Sequence, residues 1–463
     1  MQLNFVPSDI IRFPKNEITR LQDLIDIYNY HSANNAEKDK YYEGNIPLSS
    51  VNLGIALPDG LKKLEIGCAW GAKAVDVLAA RSMFDGFVGS DGTEISDLDK
   101  IVKDNDLISE YMKASKDELK YGCTFATLSD DSKKCKIRFH SPNTAAARWN
   151  GEKGGIDCGF AIIDVAPDEE NENLYTPSLV NYYTSEATYA LYKWDGLWYC
   201  KAFPHKMGRP LMEPFIWNAT SNKPFGRSRI KEPIRRLIDG YVRTLANAAI
   251  GLEFATAPQK YILGVNDEQF DSVTANKFMT YVGSIIAATT NYETGEKPSI
   301  GQLPQGSLSP HIEMIRMLAT QFSAATGLSV TDTGVVSEAN PTSADAVIAQ
   351  TQTLIVMAEQ LNAGNGVALR NIALMALAIM NGTNVEGLTD EQRTVVAHFK
   401  NPAMPSVAST ADAAIKIASA REGFASTDVF LEMIGFDQAD IRRIKGQETR
   451  YRGAMVLEEV VEE

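Results

Sequence analysis

LKKLEIGCAWGAKAVDVLAARSMFDGFVGSD, residues 61–91, supports two incompatible readings. In the first, Glu65-Ile66-Gly67 is a strand and Gly71 completes a glycine turn. A helix follows, and Val88-Gly89-Ser90-Asp91 is an acidic strand end. That order is the signature of a cofactor loop in a parallel α/β sheet, where backbone must approach the ligand closely. In the second, Leu64, Cys68, Ala72, Val75, Leu78 and Ala79 recur at three- and four-residue steps, which predicts one helix over about 62–82 that merely carries glycines. Two local features oppose the cofactor loop. Ala69 stands where its middle glycine belongs, and bulky Trp70 occupies the point of closest approach.

The rest of the chain narrows the choice. A length of 463 residues with 44% hydrophobic content can bury a large core and suggests two or more domains. The longest uninterrupted apolar run, Ile372–Met380, falls far short of the roughly 18 residues of a membrane span, and no signal-peptide pattern opens the sequence. Five cysteines (Cys68, Cys123, Cys135, Cys158, Cys200) are widely spaced and odd in number. They read as free, buried small residues in a reducing cytoplasm, with no metal-ligand spacing. A net charge of −14 argues against gripping nucleic acid over the whole surface. The charge is uneven, however: Arg227, Arg229, Lys231, Arg235, Arg236 and Arg243 are opposed between 227 and 243 only by Glu232 and Asp239.

Catalytic signatures are nearly absent. No P-loop, HExxH or nucleophile-elbow pattern occurs, and His31, His140, His205, His311 and His398 lie far apart. Ile162-Ile163-Asp164-Val165 could imitate a second acidic strand end, but such endings are common.

Periodicity organises the chain. Residues 15–42 predict a helix whose apolar face is Ile18, Leu21, Leu24, Ile25 and Tyr28. Residues 123–203 read as an antiparallel meander of short strands, and Thr188–Phe203 reads as a hairpin turning at Asp195-Gly196. After Pro224, an unbroken stripe of Ile234, Leu237, Ile238, Tyr241, Val242, Leu245, Ala248, Ala249 and Leu252 predicts a helix over 229–254. Such a helix is roughly 39 Å long at about 1.5 Å per residue. A small mixed segment, 257–306, precedes a second helix that opens at Ser309-Pro310 and stops at Gly327. Two helices flanking an insertion make a stalk with a head.

Residues 328–342 then form a loop closed by Asn340-Pro341-Thr342, and Ser343–Met380 is a long helix with Val347, Ile348, Leu354, Ile355, Ala358 and Leu361 on one side. Asn362-Ala363-Gly364-Asn365-Gly366 interrupts it. Two glycines there cost about 2 kcal/mol relative to alanine, so a kink or break is expected. The tail beyond 403 predicts two short helices and an acidic end, Glu458–Glu463.

Seven short patterns, in order over about 40–445, resemble the portal (head-to-tail connector) proteins of tailed bacteriophages. Tyr41-Tyr42-Glu43-Gly44 resembles that family's "YYxG", and Ala74–Arg81 with Gly86-Phe87 its "VVDxxAxR…GF" helix. Gly208-Arg209-Pro210 with Pro214-Phe215 resembles "GxxPvxxF", and Gly226-Arg227-Ser228-Arg229-Ile230 resembles the "GxSxI" that leads into the stem. Ala257-Pro258-Gln259 with Tyr261 and Gly264 resembles "APQRxxxG" before the clip. Gly327-Leu328 through Asn340–Ala346 resembles the loop before "NPxSADA". Ala411-Asp412-Ala413, Lys416 and Leu431–Gly435 resemble "ADAxxK…LxxLG". The departures are the Gly364/Gly366 interruption and a short C-terminus, which makes a large crown unexpected.

The resemblance implies an α+β portal fold. Its parts would be a mixed wing (1–225), stem helix 1 (226–255), a small α/β clip (256–307), stem helix 2 (308–327) and a tunnel loop (328–342). A long tunnel helix (343–382) and a short helical C-terminal wing or crown region (383–463) complete it. It makes 64–81 one wing helix with a turn at Gly86-Phe87. It further implies a ring of twelve copies at a capsid vertex, built in the host cytoplasm and retained in the virion. A terminase motor drives double-stranded DNA through such a ring without sequence preference, and neck, tail, capsid and scaffold proteins dock on it. No catalysis, cofactor, metal or membrane is implied. Val330, Thr331, Asp332, Thr333, Gly334, Ser337, Glu338 and Asn340 are the channel-loop candidates, small or acidic with no lysine or arginine to hold phosphates, and the six bases between Arg227 and Arg243 are the stem candidates. The alternatives are an S-adenosylmethionine-dependent methyltransferase using 64–91, or another oligomeric scaffold without chemistry of its own.

Overall fold

The computed structural model describes residues 3, 5–47, 65–89, 96–131, 134–167, 175–256, 260–263, 295, 297, 299–302, 307–335, 344–403, 407–421, 423–436 and 440–451. The architecture is mixed α+β. Helix α1 (Ile18–Glu43) buries Leu21, Leu24, Ile25 and Tyr28, the stripe read from the sequence. It ends at Gly44, whose φ of 76° is the left-handed conformation that glycine adopts without strain.

The opening stretch has the strand, helix and strand of the first reading but not its parallel sheet. Glu65–Gly67 is a strand, β2, paired antiparallel with β1 (Asn45–Pro47). Helix α2 begins only at Trp70 and runs to Ala79. Gly86 and Phe87 lie inside strand β3 (Phe84–Val88), not in a turn. A single helix over 64–81 is therefore wrong. A side chain at Gly71 would collide with the carbonyl of Tyr41, and one at Gly44 would come within 2.6 Å of the Cys68 carbonyl. The glycines thus serve the close crossing of α1 and α2, not a ligand. The parallel sheet required by a methyltransferase is also missing among the described residues. Strand β2 pairs antiparallel with β1, and β3 pairs antiparallel with a strand from the far end of the chain.

After α3 (Ser96–Asp104) and α4 (Leu107–Tyr121), the chain enters the expected meander. Strands β4 (Cys123–Asp131) and β5 (Lys134–His140) form one hairpin. Strands β6 (Ala145–Asn150), β7 (Gly155–Pro167), β8 (Tyr175–Tyr183), β9 (Ala187–Trp194) and β10 (Leu197–Pro204) form an antiparallel sheet in the order β10-β9-β8-β7-β6. The β9–β10 turn is Asp195-Gly196, with φ of 48° and 74°, the two positive values of a type I′ turn. Strand β11 (Met212–Ile216) returns to pair with β4, making the three-stranded sheet β11-β4-β5.

Helix α5 (Glu232–Thr256) and helix α6 (Ser309–Thr326) pack together as a hairpin. Strands β12 (Lys260–Leu263) and β13 (Ser299–Gln302) pair antiparallel between them. Helix α6 has its proline in the first turn and Gly327 as its left-handed cap, where the sequence puts them.

Helix α7 (Ala344–Met380) is continuous through 362–366, so the expected break does not occur. Gly364 faces open space, and a side chain at Gly366 would meet the Phe399 ring at an ordinary 3.6 Å. Between them, buried Asn365 donates to the Tyr111 hydroxyl at 2.9 Å and to Glu118 Oε2 at 2.7 Å. Leu361, Ala368, Leu369 and Ile372 are buried on either side. Each large apolar side chain so buried contributes about 1.5–3 kcal/mol, which exceeds the cost of two glycines. The same burial explains the composition of Thr351–Met380, which is long and apolar enough to cross a membrane. Ile372 through Ala378 are packed against β4, β5 and β11 at 0–7% exposure, as a core helix requires.

Strand β14 (Val396–Phe399) pairs with β3, placing His398 opposite Gly86. Helices α8 (Val407–Ala420) and α9 (Asp428–Ile434) follow, and residues 440–451 form a further helix, one more than the sequence reading expects.

Three apolar clusters hold these parts together. The first surrounds the second half of α7, with Phe84, Tyr111, Phe125 and Phe215. The second joins α2, α5, α6 and the first half of α7. The third lies between α1 and the five-stranded sheet.

Candidate functional site: the junction beneath the helical hairpin

Trp70, the residue that spoils the cofactor loop, is the centre of the second cluster. It is 3% exposed at the start of α2. Its ring lies 4.2 Å from that of Tyr241 on α5 and 4.8 Å from that of Phe322 on α6. Its indole N–H donates to the carbonyl of Thr333 at 3.1 Å. One side chain therefore touches both arms of the hairpin and the segment that leaves it. The adjacent tyrosines add to this: the Tyr41 hydroxyl donates to Asp239 Oδ1 on α5 at 2.8 Å, and that of Tyr42 to Asp76 Oδ1 on α2 at 2.9 Å.

Arg229 is the second tie. It lies in the turn before α5 and is 8% exposed. Its Nε–H donates to the Ala74 carbonyl on α2, and its Nη2 donates to the Thr326 carbonyl at the end of α6 at 2.6 Å. Nη1 reaches Met357 Sδ on α7 at 3.5 Å. Burial pulls the guanidinium down to about 10, still charged at neutral pH, and the α6 C-terminus offers the negative end of a helix dipole. A planar fork can satisfy two carbonyls from different helices at once, which an ammonium cannot do in the same way.

The six candidate bases therefore do not form one surface. Arg229 is internal, correcting its place among them. Arg235 is half-buried, 3.5 Å from Glu37 and over the Tyr41 ring. Arg236 pairs with Glu232 on its own helix. Arg227, Lys231 and Arg236 are exposed, and Arg243 is half-buried.

The described part of the channel-loop candidates is a compact turn. Thr331–Thr333 is a single 3-10 turn after Val330, and it ends at exposed Gly334 with φ of 82°. Asp332 Oδ2 accepts from the Ser329 N–H at 3.0 Å and from its hydroxyl at 2.7 Å. Thr331 is exposed, whereas Thr333 is buried beside Trp70. Ser337, Glu338 and Asn340 lie outside the described residues. Reading the sequence missed Trp70 and the internal place of Arg229. The available signals were an aromatic residue next to Gly71 and an arginine immediately ahead of an apolar stripe.

Among the described residues, Cys68 is the thiol packed in this junction, and like the other buried thiols it is poorly suited to nucleophilic chemistry. Burial pushes the Cys68 thiol up to about 11, and those of Cys135, Cys158 and Cys200 to about 12, 11 and 11, away from nucleophilic thiolates. His140 is pulled down to about 4 by burial and by Arg138. Among the described residues, no group of three or more acidic, histidine or cysteine side chains is placed to hold a metal.

The profile of the family described as "Phage portal protein, SPP1 Gp6-like" matches residues 14–453. No curated protein matches the chain. Among solved structures, a chain of the virion of a native gene transfer agent particle is similar at 10% identity and TM-score 0.47, over 87% of this chain and 93% of that one. A chain from the neck of an empty gene transfer agent particle, computed with C6 symmetry, is similar at 12% identity and TM-score 0.46, over 79% and 90%. One from the neck of a native particle, computed with C12 symmetry, has 12% identity and TM-score 0.45, over 79% and 89%. Matched over nearly its whole length, the chain belongs to the SPP1 Gp6-like family of phage portal proteins, and its role is that of the head-to-tail connector.

Proposed function

We propose that twelve copies of this chain close into a ring at the capsid vertex, and that double-stranded DNA enters and leaves through its centre. In this reading, residues 1–225 are the wing and 226–255 with 308–327 the stem. Residues 256–307 are the clip, 328–342 the tunnel loop, 343–382 the tunnel helix, and 383–463 the C-terminal wing or crown. The protein is a structural part, not an enzyme, and needs no cofactor. The clip receives the terminase motor and later the neck proteins, while the wing meets capsid and scaffold proteins.

One observation carries the ring. The α5–α6 hairpin buries Ile234, Ile238, Val242, Leu318 and Phe322 inward, yet leaves Leu252, Ile312, Met314 and Met317 at 40–51% exposure. Long apolar side chains left uncovered along a helical hairpin call for a partner. Identical neighbours arranged head to tail supply one on each side, and ring closure prevents open filaments. Internal ties such as Trp70 and Arg229 support a stem held rigidly on the wing, as a channel under load requires. The test is particle imaging with light scattering on the purified protein. Twelve copies of the 50.7 kDa chain make a ring of about 608 kDa with a central hole. A monomer at micromolar concentration refutes the assignment.

A further inference from the structure

The C-terminal helices are held to the body in a manner unlike the rest of the fold. Among the described residues of 407–451, only Ala414 and Ile441 are buried apolar side chains. Ile415, Ile417, Val429 and Phe436 are exposed by 40–60%. The described attachments to the body include two polar ones. Arg442 grips Asp99 of α3 through both of its terminal nitrogens. His398 stands between two carboxylates of different origin: its Nδ1 is 3.8 Å from Asp85 Oδ2, and its Nε2 is 3.7 Å from Glu432 Oε1.

Asp85 is on β3 and His398 on the paired strand β14, so both belong to the body. Glu432 is on α9, in the C-terminal unit. We propose that His398 is a proton-controlled latch: its imidazolium bridges Asp85 and Glu432 and holds residues 407–451 against the body, and loss of the proton loosens them.

The ring geometry suits this role. An imidazolium carries an N–H at each end, so it can face two carboxylates at once. A neutral ring has one N–H and no charge, and can serve only one of them. The charged groups that line the cleft among the described residues all enter the balance. Asp85 on β3 and Glu432 on α9 favour the proton. Lys400, 3.7 Å from Asp85 and just past β14, opposes it. Arg81, after α2, is tied to the Pro402 carbonyl at 2.7 Å. The interaction with Asp85, joined by the charge of Glu432, raises the histidine above its ordinary 6.5 despite partial burial. A raised value gives stability that is fully present below about pH 6.5 and is lost as the pH climbs through the folded value. The latch is thus closed in mildly acidic solution and open in alkaline solution.

Amide hydrogen exchange on the full-length assembled protein reads this directly, once intrinsic exchange rates are corrected for pH. Protection of 407–451 is expected to fall about tenfold between pH 6 and 8.5, while amides of β7 and β8 keep theirs. His398→Gln should show the lower protection at every pH. His398→Arg, which keeps a cation between the carboxylates, should hold protection flat across the range. Wild-type protection of 407–451 that does not change with pH, or a glutamine variant that titrates as the wild type does, overturns the latch.

Discussion

Glu118 makes the stability of the α4–α7 core depend on pH. Its side chain is wholly buried between α4 and α7, and its Oε2 accepts one hydrogen bond, from Asn365. Its Oε1 and the Asn365 Oδ1 have no hydrogen-bond partner. The Tyr111 hydroxyl, linked to Ser82 at 2.7 Å and to Asn365, completes the cluster without a cation. Burial pushes the carboxyl up to about 8 from an ordinary 4.5, so it is protonated at neutral pH. Stability from this group is fully present below pH 4.5 and disappears as the pH rises through 8. At about 1.4 kcal/mol per pH unit, it has already lost about 3 kcal/mol at pH 7 and loses about 5 kcal/mol in all. Glu118→Gln replaces the carboxyl with a neutral group of the same shape, whose amide can donate to Asn365 Oδ1. The variant is expected to gain up to about 3 kcal/mol at pH 7 and to flatten the pH dependence of protection in α4 and α7 between pH 5 and 8.5. Native-state hydrogen exchange of those two helices measures both. A glutamine variant that is less protected at pH 7 and still titrates with the wild-type slope would refute the argument.

Two further outcomes test the junction and the channel. Trp70→Phe keeps the stacking on Tyr241 and Phe322 but leaves the Thr333 carbonyl without its donor, which should cost about 1–3 kcal/mol and loosen 328–335 first; Trp70→Ala should cost about 3–5 kcal/mol, and equal, small losses for the two would dismiss the junction as a tie. Thr331→Lys combined with Glu338→Lys adds two positive charges per subunit, about 24 in a twelve-membered ring, and spares the Asp332–Ser329 bonds. Intact rings of this double variant should package DNA slowly at low salt and recover as salt rises, and packaging unchanged across the series would remove the loop from the channel.

What the sequence disclosed depended on whether the deciding interaction was local. The bounds of α6 were legible because Ser309-Pro310 and Gly327 act on their own turns. The β9–β10 turn was legible because Asp195-Gly196 fixes its own dihedrals. Strand β2 was legible only in the cofactor-loop reading, and its antiparallel pairing was hidden because the partner, Asn45–Pro47, comes from another segment. The continuity of α7 was hidden for the same reason: the packing of Asn365, Leu369 and Ile372 against distant elements decides it, and propensity alone points the other way. Arg229 sits in a run of bases, and the apolar stripe that follows it is the only local sign of burial. Its partners, Ala74 and Thr326, lie 155 and 97 residues away.

The pairing of β3 with β14 has a temporal meaning. Val88 pairs with Val396, 308 positions later in the chain. At about 5–20 residues per second, a ribosome needs roughly 15–60 s to supply the second strand after the first has emerged. For that interval, the edge carrying Phe84 and Phe87 waits unpaired, the kind of surface that invites wrong partners. The body closes only once synthesis has passed Phe399. A nascent chain therefore has no finished flank to offer a neighbour before that point. That delay favours assembly from subunits in which this pairing is already made.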